Sequence, residues 1–187
     1  MGIPLAKEAE SYVTNNTADG ANNLQGKKVF ITGASSGLGR HFATVLGKAG
    51  ASMALAARRT DQLEALAAEL QTTGVRTLSI PLDVKSEASV VDAVALAARE
   101  FDGLDILVNN AGVVVSKPMV EQTESDWDHV LDTNLKGAFL VGCEFARCLR
   151  NAQRSGAVIN IASILGLRQS SQLTPYAVSK AGLMKNS

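Results

Sequence analysis

From Gln25 onward the chain alternates short, unbroken aliphatic runs with longer stretches in which apolar residues return every three or four positions. The runs Lys28–Thr32, Ser52–Ala57, Thr77–Leu82, Leu104–Asn109 and Ala157–Ala162 have the length of strands. Their nearly continuous apolar character predicts a sheet covered by helices on both faces. Between the second and third runs, Leu63, Leu66, Ala67 and Leu70 form one stripe, with Asp61, Glu64 and Glu69 on the wet side of the same helix. The same reasoning predicts helices over Leu38–Lys48 and Ser86–Phe101, the latter capped by Ser86, and one long helix over Glu124–Asn151. Thr174 followed by Pro175 reads as an N-cap and a first-turn proline, opening a last helix of about three turns. Strict alternation of strand and helix predicts an α/β fold with a doubly wound parallel sheet over residues 24–187, behind a flexible leader over 1–23.

Candidate chemistry begins where the first strand ends, at Thr32-Gly33-Ala34-Ser35-Ser36-Gly37-Leu38-Gly39. Glycines let the backbone turn sharply and approach a diphosphate, and the following helix offers unpaired amides and the positive end of its dipole. A glycine-rich corner can also be a ligand-free turn; its position in the first βα unit is what favours a dinucleotide-binding Rossmann fold. At the end of the second strand a carboxylate would bind the ribose 2′-hydroxyl of NAD, but the sequence has Ala56-Ala57-Arg58-Arg59. Two guanidiniums and no acid favour a 2′-phosphate, so the expected cofactor is NADP rather than NAD. The alternative is a pair of solvated arginines at the start of the next helix, where the dipole opposes them.

Tyr176 and Lys180 stand four apart on the last helix, which puts the ammonium on the face of the phenol. A free phenol has a pKa of about 10, and a neighbouring cation stabilises the phenolate, making Tyr176 a candidate general acid/base. Such a pair also arises by chance on solvated helices. Ser163 lies at the carboxyl end of the last strand, where open α/β sheets bind ligands, and either donates to a carbonyl oxygen or simply ends the strand. Asn134, inside the long helix, either back-bonds locally or bridges a water toward the site.

Charge and composition narrow the partners. Lys+Arg and Asp+Glu are both 18, a formal net charge of +0, so nothing draws the chain to nucleic acid or an anionic membrane. Met1 to Asn23 carries acids, Asn, Thr and Gly where an export signal needs a basic start and an apolar run, so a cytoplasmic location without a membrane span is expected. Cys143 and Cys148 read as reduced packing residues, and neither His41 nor His129 lies near them at ligand spacing, so no metal is expected.

Thr32-Gly33-x-x-x-Gly37-x-Gly39, Asn109-Asn110-Ala111-Gly112, Asn134, Ser163 and Tyr176-x-x-x-Lys180, in this order and spacing, resemble the motifs of the short-chain dehydrogenase/reductase family of the classical type. The resemblance runs from about Leu24 to the end of the chain. It implies an oxidoreductase that interconverts an alcohol and a ketone or aldehyde by hydride transfer with NADP(H). In that scheme Tyr176 gives or takes the proton, Ser163 orients the substrate oxygen, Lys180 also holds the nicotinamide ribose, and Asn134 keeps a relay water. Asp83 and Val84 would meet the adenine, and Asn110, Ala111 and Gly112 would line the cofactor floor. A homodimer or homotetramer is implied, built on the helices that carry Asn134 and Tyr176. Members of the family continue past the Tyr-Lys helix into two further strands, whereas this sequence stops at Ser187. The chain is therefore expected to be incomplete at its C-terminus, with Ala157–Ala162 near a sheet edge and the identity of the substrate left open. Two rival readings are a cofactor-binding protein without turnover and a non-functional fragment.

Overall fold

The computed structural model describes residues 24–168 and 171–185; the expected leader over 1–23 lies outside them. The five aliphatic runs become β1 (Lys28–Thr32), β2 (Ser52–Ala57), β3 (Thr77–Pro81), β4 (Ile106–Asn109) and β5 (Ala157–Asn160), all parallel, in the order β3-β2-β1-β4-β5. The chain thus winds outward from β1 to β3 and crosses back to β4 and β5, so its direction reverses between β1 and β4. In a doubly wound sheet this reversal opens a crevice at the carboxyl ends of the strands. β3 and β5 end one and two residues inside their expected bounds and β4 begins two residues late, although Leu82 N still donates to Ala57 O at 3.0 Å and Ile161 N to Asn109 O at 2.9 Å.

Each strand is apolar on both faces because each face has its own helices to pack against. On one side Val29, Ile31, Met53, Leu55 and Val108 meet Ala43 of α1 (Gly37–Lys48) and Leu63, Leu66 and Leu70 of α2 (Thr60–Gln71). On the other, Phe30, Ala54, Ile80 and Leu107 meet Val90, Val94 and Ala97 of α3 (Glu87–Phe101) and Val141 and Phe145 of α5 (Gly137–Asn151). Ser86 caps α3 as expected, its hydroxyl accepting from Ser89 N. Burying each of these large side chains is worth about 1.5–3 kcal/mol, which holds the sheet as a rigid platform.

The long helix expected over Glu124–Asn151 is interrupted. It consists of α4 (Glu124–Leu131), a π-helical turn over Asp132–Lys136, and then α5. The last helix, α6 (Thr174–Leu183), has Leu173 rather than Thr174 at its N-cap, with Pro175 in the first turn where no amide donor is needed. No helix among the described residues is long and apolar enough to cross a membrane. Cys143 and Cys148 are half-buried free thiols, and burial, followed by the nearby Glu144 carboxylate, pushes the Cys148 thiol up.

The two ends of the sheet are unlike. At the amino end, Asp105 accepts from Lys28 N at 2.9 Å and from Arg154 Nη2 at 3.1 Å, while Lys28 Nζ and Arg154 Nη1 both donate to Asp102 O. That network ties β1, the turn before β4 and the approach to β5 together. β5 lies at one edge of the sheet, where Val158 and Ile159 are nearly half exposed.

Candidate active site

At the carboxyl end, the turn after β1 is built from the inside. Thr32 is buried, and its Oγ1 accepts from Asn110 N at 3.0 Å and from Ala111 N at 2.9 Å, so the loop after β4 is fastened to the end of β1. The Asn110 side-chain amide returns the tie, donating to Thr32 O at 3.0 Å and Gly33 O at 3.3 Å. With those carbonyls engaged, what the turn has left for a ligand is mainly N–H donors. Gly33 takes φ 68°, in the left-handed region, and a Cβ there would stand 2.9 Å from Ala111 Cα. Gly39 is more tightly hemmed: a Cβ would fall 2.3 Å from Gly33 O.

Ser36 is the N-cap of α1, yet its side chain makes no capping bond. Its hydroxyl instead accepts from Arg59 Nη2 at 2.6 Å, and the same nitrogen donates to Ser35 Oγ at 3.1 Å. The free amides of the first turn of α1 and this guanidinium therefore converge on one place, an anion site in charge and geometry. Arg59 is also the N-cap residue of α2, the end of a helix where a cation is disfavoured unless an anion offsets it.

A cleft of about 420 Å³ opens here, lined by Gly33, Ser35, Ser36, Gly37 and Leu38, by Arg58 and Arg59, by Asp83 and Val84, and by Asn110, Ala111 and Gly112. Four residues expected at the cofactor are not on its surface: Thr32, which fastens the floor, Gly39, which lets α1 pack on the turn, and Tyr176 and Lys180, which belong to the last helix. Ala56, Ala57, Leu82, Val113 and Thr133 also line it and were missed, since the four aliphatic side chains carry no chemical signal in a sequence and Thr133 lies within what reads as unbroken helix.

The candidate reacting groups gather beyond β5. Lys180 is buried, and its Nζ donates to Ile161 O at 2.6 Å, just past the end of that strand. The same nitrogen lies 5.7 Å from the centroid of the Tyr176 ring. Burial pushes the Lys180 ammonium below the usual lysine range. Two residues beyond Ile161, Ser163 opens a short 3₁₀ turn over Ile164–Gly166, and its Oγ accepts from Leu165 N at 3.2 Å. Its hydroxyl hydrogen is not engaged by that bond. Asn134 is 1% exposed within the π turn; its Oδ1 accepts from Val113 N at 2.7 Å, and its Nδ2 donates to Val113 O at 2.9 Å and to Ser179 Oγ at 3.1 Å. Both amide hydrogens are engaged, so the side chain has none left to offer a relay water.

The loop after β4 and the loop before α6 are joined at the rim. Lys117 N donates to Gln172 O at 3.0 Å, and Gln122 Nε2 donates to Lys117 O at 3.0 Å. Lys117 Nζ reaches Asp126 at 2.7 Å, and Asp126 also completes a capping box with Thr123 at the start of α4. The Lys117 ammonium first, then the Thr123 backbone and hydroxyl, lower the Asp126 carboxyl from 3.8 to about 2. Because the folded value lies below the unfolded one, this carboxylate stabilises the fold above about pH 4, and the contribution fades as pH falls toward 2. In Asp126→Asn, melting temperature should therefore decline less steeply between pH 4 and pH 2 than in the parent. Parallel melting curves would refute the assignment.

A model of the short chain dehydrogenase family matches residues 27–186 of the chain. Among curated proteins, the chain is 37% identical over 161 residues to a nodulation protein G of Rhizobium sp. (strain N33), a match that takes in 86% of this chain and 64% of that one. It is 35% identical over 160 residues to an uncharacterized oxidoreductase of Staphylococcus aureus, covering 86% and 68%. A short-chain type dehydrogenase/reductase from Mycobacterium marinum has a similar structure, with a TM-score of 0.84 at 34% identity over 88% of this chain and 67% of that one. The chain thus spans about two thirds of the length of these relatives, and less than that of the Rhizobium protein.

Proposed function

The chain belongs to the short chain dehydrogenase family, and from that premise we propose that it is an NADP(H)-dependent oxidoreductase interconverting an alcohol and a ketone or aldehyde. The observation that carries the reading is the position of Lys180, bonded to Ile161 O at the mouth of the sheet and 5.7 Å from the Tyr176 ring. A cation fixed beside a phenol stabilises the phenolate, which is what an acid/base tyrosine requires. Support for a dinucleotide in the neighbouring cleft comes from the turn that only glycine fits at Gly33 and Gly39, and from the uncapped start of α1.

Gly33, Ser35, Ser36, Gly37 and Leu38 would hold the diphosphate, Asp83 and Val84 the adenine, and Asn110, Ala111 and Gly112 the floor beneath the ribose and ring. Bound there, the nicotinamide supplies or accepts the hydride. In the reductive direction the Tyr176 hydroxyl gives its proton to the substrate oxygen. Ser163 donates a hydrogen bond to that same oxygen, and Lys180 stabilises the phenolate left behind while holding the nicotinamide ribose. Asn134 takes part through Val113 and Ser179, the groups its amide bonds.

Arg58 and Arg59, with no acid at the end of β2, favour a 2′-phosphate and hence NADP over NAD. Arg58→Asp should weaken NADPH binding roughly tenfold to a hundredfold and leave NADH binding within about twofold, as expected for charge-assisted bonds to a phosphate. Fluorescence titration of both coenzymes reads this directly, and an unchanged preference would remove the NADP assignment.

Self-association along α5 and α6 is part of the same proposal. Phe139 is half exposed there and shares a shallow apolar hollow with Leu131, Leu135 and Gly182. A reducing cytoplasm suits the two free thiols. The whole reading is tested by titrating the chain with NADPH and screening a panel of aliphatic, aromatic and hydroxylated ketones for reduction. Binding with reduction of at least one member upholds it. Binding with no reduction in folded protein leaves a coenzyme-binding module, and no binding removes the proposal.

A further inference from the structure

Ser179 has no exposed surface, lies between Tyr176 and Lys180 in sequence, and belongs to none of the motifs singled out in the sequence. Its hydroxyl accepts from Asn134 Nδ2 at 3.1 Å and donates to Tyr176 O at 2.7 Å. A serine that only back-bonds to the carbonyl three residues earlier is an ordinary helical serine. The bond to Asn134, 45 residues away and also buried, is not.

The hydrogen-bonding capacities close without a spare donor. A side-chain amide has two N–H donors and one acceptor oxygen; in Asn134 the donors go to Val113 O and Ser179 Oγ, and the oxygen takes Val113 N. A hydroxyl has one hydrogen; in Ser179 it goes to Tyr176 O, leaving a lone pair for Asn134. Neither group can turn around without setting a donor against a donor. One unbroken chain of bonds therefore links the loop after β4, the π turn between α4 and α5, and the helix that carries Tyr176. An i→i+5 turn widens a helix locally and turns the residue within it, and here that residue is Asn134.

Resting on the function proposed above, we infer that Ser179 is a positioning residue for the Tyr176–Lys180 pair, acting through Asn134. Removing its hydroxyl leaves a buried Asn134 N–H without a partner, and the helix carrying Tyr176 loses its tie to the cofactor floor. Small displacements of a reacting group are costly to turnover and cheap to binding, so the loss falls on kcat. A purely structural serine would behave otherwise, because alanine is the better helix former.

The test is Ser179→Ala in the chain as it stands, assayed with NADPH and with diacetyl or acetophenone, whichever the parent reduces faster. The expected result is a roughly tenfold fall in kcat, the worth of one neutral hydrogen bond, with KM and the NADPH Kd within about twofold; the melting temperature falls as well, by the cost of the orphaned Asn134 N–H, and does not discriminate. In an Asn134→Ala background the same substitution should change kcat by less than about twofold, since the link is already cut. The NMR signals of the Asn134 side-chain amide should show one of its two hydrogens exchanging faster in Ser179→Ala. Turnover of Ser179→Ala within twofold of the parent, a full tenfold loss repeated in the Asn134→Ala background, or unchanged exchange of both hydrogens would each overturn the inference. If the parent reduces neither probe, the panel carbonyl it reduces fastest takes their place; if it reduces none of the panel, the proposed function fails, and amide exchange alone then upholds or overturns the Ser179 link.

Discussion

Tyr176→Phe should lower turnover by about 10²–10⁴-fold, the usual worth of a positioned acid/base, while NADPH binds as tightly as it does to the parent. The substitution deletes one oxygen and nothing else. The ring stays half-buried, and the Lys180 ammonium, 5.7 Å from its centroid, keeps its attraction for the aromatic face. Lys180 also keeps its 2.6 Å bond to Ile161 O, and Ser179 keeps its backbone partner at residue 176, since that bond is to a carbonyl. The cleft at the glycine turn is lined by none of these residues, and Lys180, proposed to hold the nicotinamide ribose, is unchanged in the variant. Loss of turnover with retained coenzyme binding would therefore isolate the proton-transferring oxygen as the cause. Measured with saturating NADPH and the best carbonyl from the panel, full turnover in the variant would remove Tyr176 from the chemistry. An equal fall in coenzyme affinity would make it a binding residue instead.

The parts of the fold that were legible in the sequence are those in which burial dictates residue type over several consecutive positions. Val29-Phe30-Ile31 and Met53-Ala54-Leu55 are buried on both sides of the sheet, so no polar residue interrupts them, and the run is its own evidence for a covered strand. Ser86 was legible for another reason: a short hydroxyl before an apolar period has one common use, and here it accepts from Ser89 N. The π turn was not legible. Val130, Ala138, Val141 and Phe145 are buried, and Asp132 and Lys136 form an i,i+4 ion pair across the interruption, so the pattern around Asn134 reads as unbroken α-helix. One extra residue in a turn changes where a side chain points without changing which residues are apolar.

The site shows the same division. Glycine turns and a Tyr-x-x-x-Lys spacing are visible because they involve uncommon residues at fixed separations. Ser179 is not, since serine occurs everywhere and what distinguishes this one is a bond across 45 residues; Thr32 is visible as part of the glycine motif, but its fastening of the loop 78 residues away is not. The N-cap of α6 falls in the same class: Thr174 has the right chemistry, but Leu173 occupies the position, with φ −123° and ψ 31°. Long-range pairing of small polar groups becomes readable only once the sheet has brought their elements together.

Gly39→Ala should cost the chain its coenzyme, at least about a hundredfold in NADPH affinity, for a steric reason that can be stated atom by atom. The new methyl would sit 2.3 Å from Gly33 O and 2.5 Å from Asn110 Nδ2, and neither can yield cheaply. Gly33 O is backbone in a left-handed turn, and Asn110 Nδ2 is the donor that holds Thr32 O and Gly33 O. Either α1 must draw back from the turn, taking its free amides out of reach of the diphosphate, or the Asn110 bonds must break and let the turn relax. Overpacking of this kind commonly costs about 1–3 kcal/mol of stability, so a lowered melting temperature alone would not identify the mechanism. Gly74→Ala supplies the contrast: at φ +83° with nothing within 4 Å of the added methyl, it is strained by backbone conformation alone, in the turn before β3 and away from the cleft. That variant should lose about 1–2 kcal/mol of stability and bind NADPH as the parent does. If both alanines weakened the coenzyme in proportion to their instability, the close approach of α1 to the glycine turn would have no part in holding the diphosphate. Undiminished NADPH affinity in Gly39→Ala would mean that the diphosphate does not rest there at all.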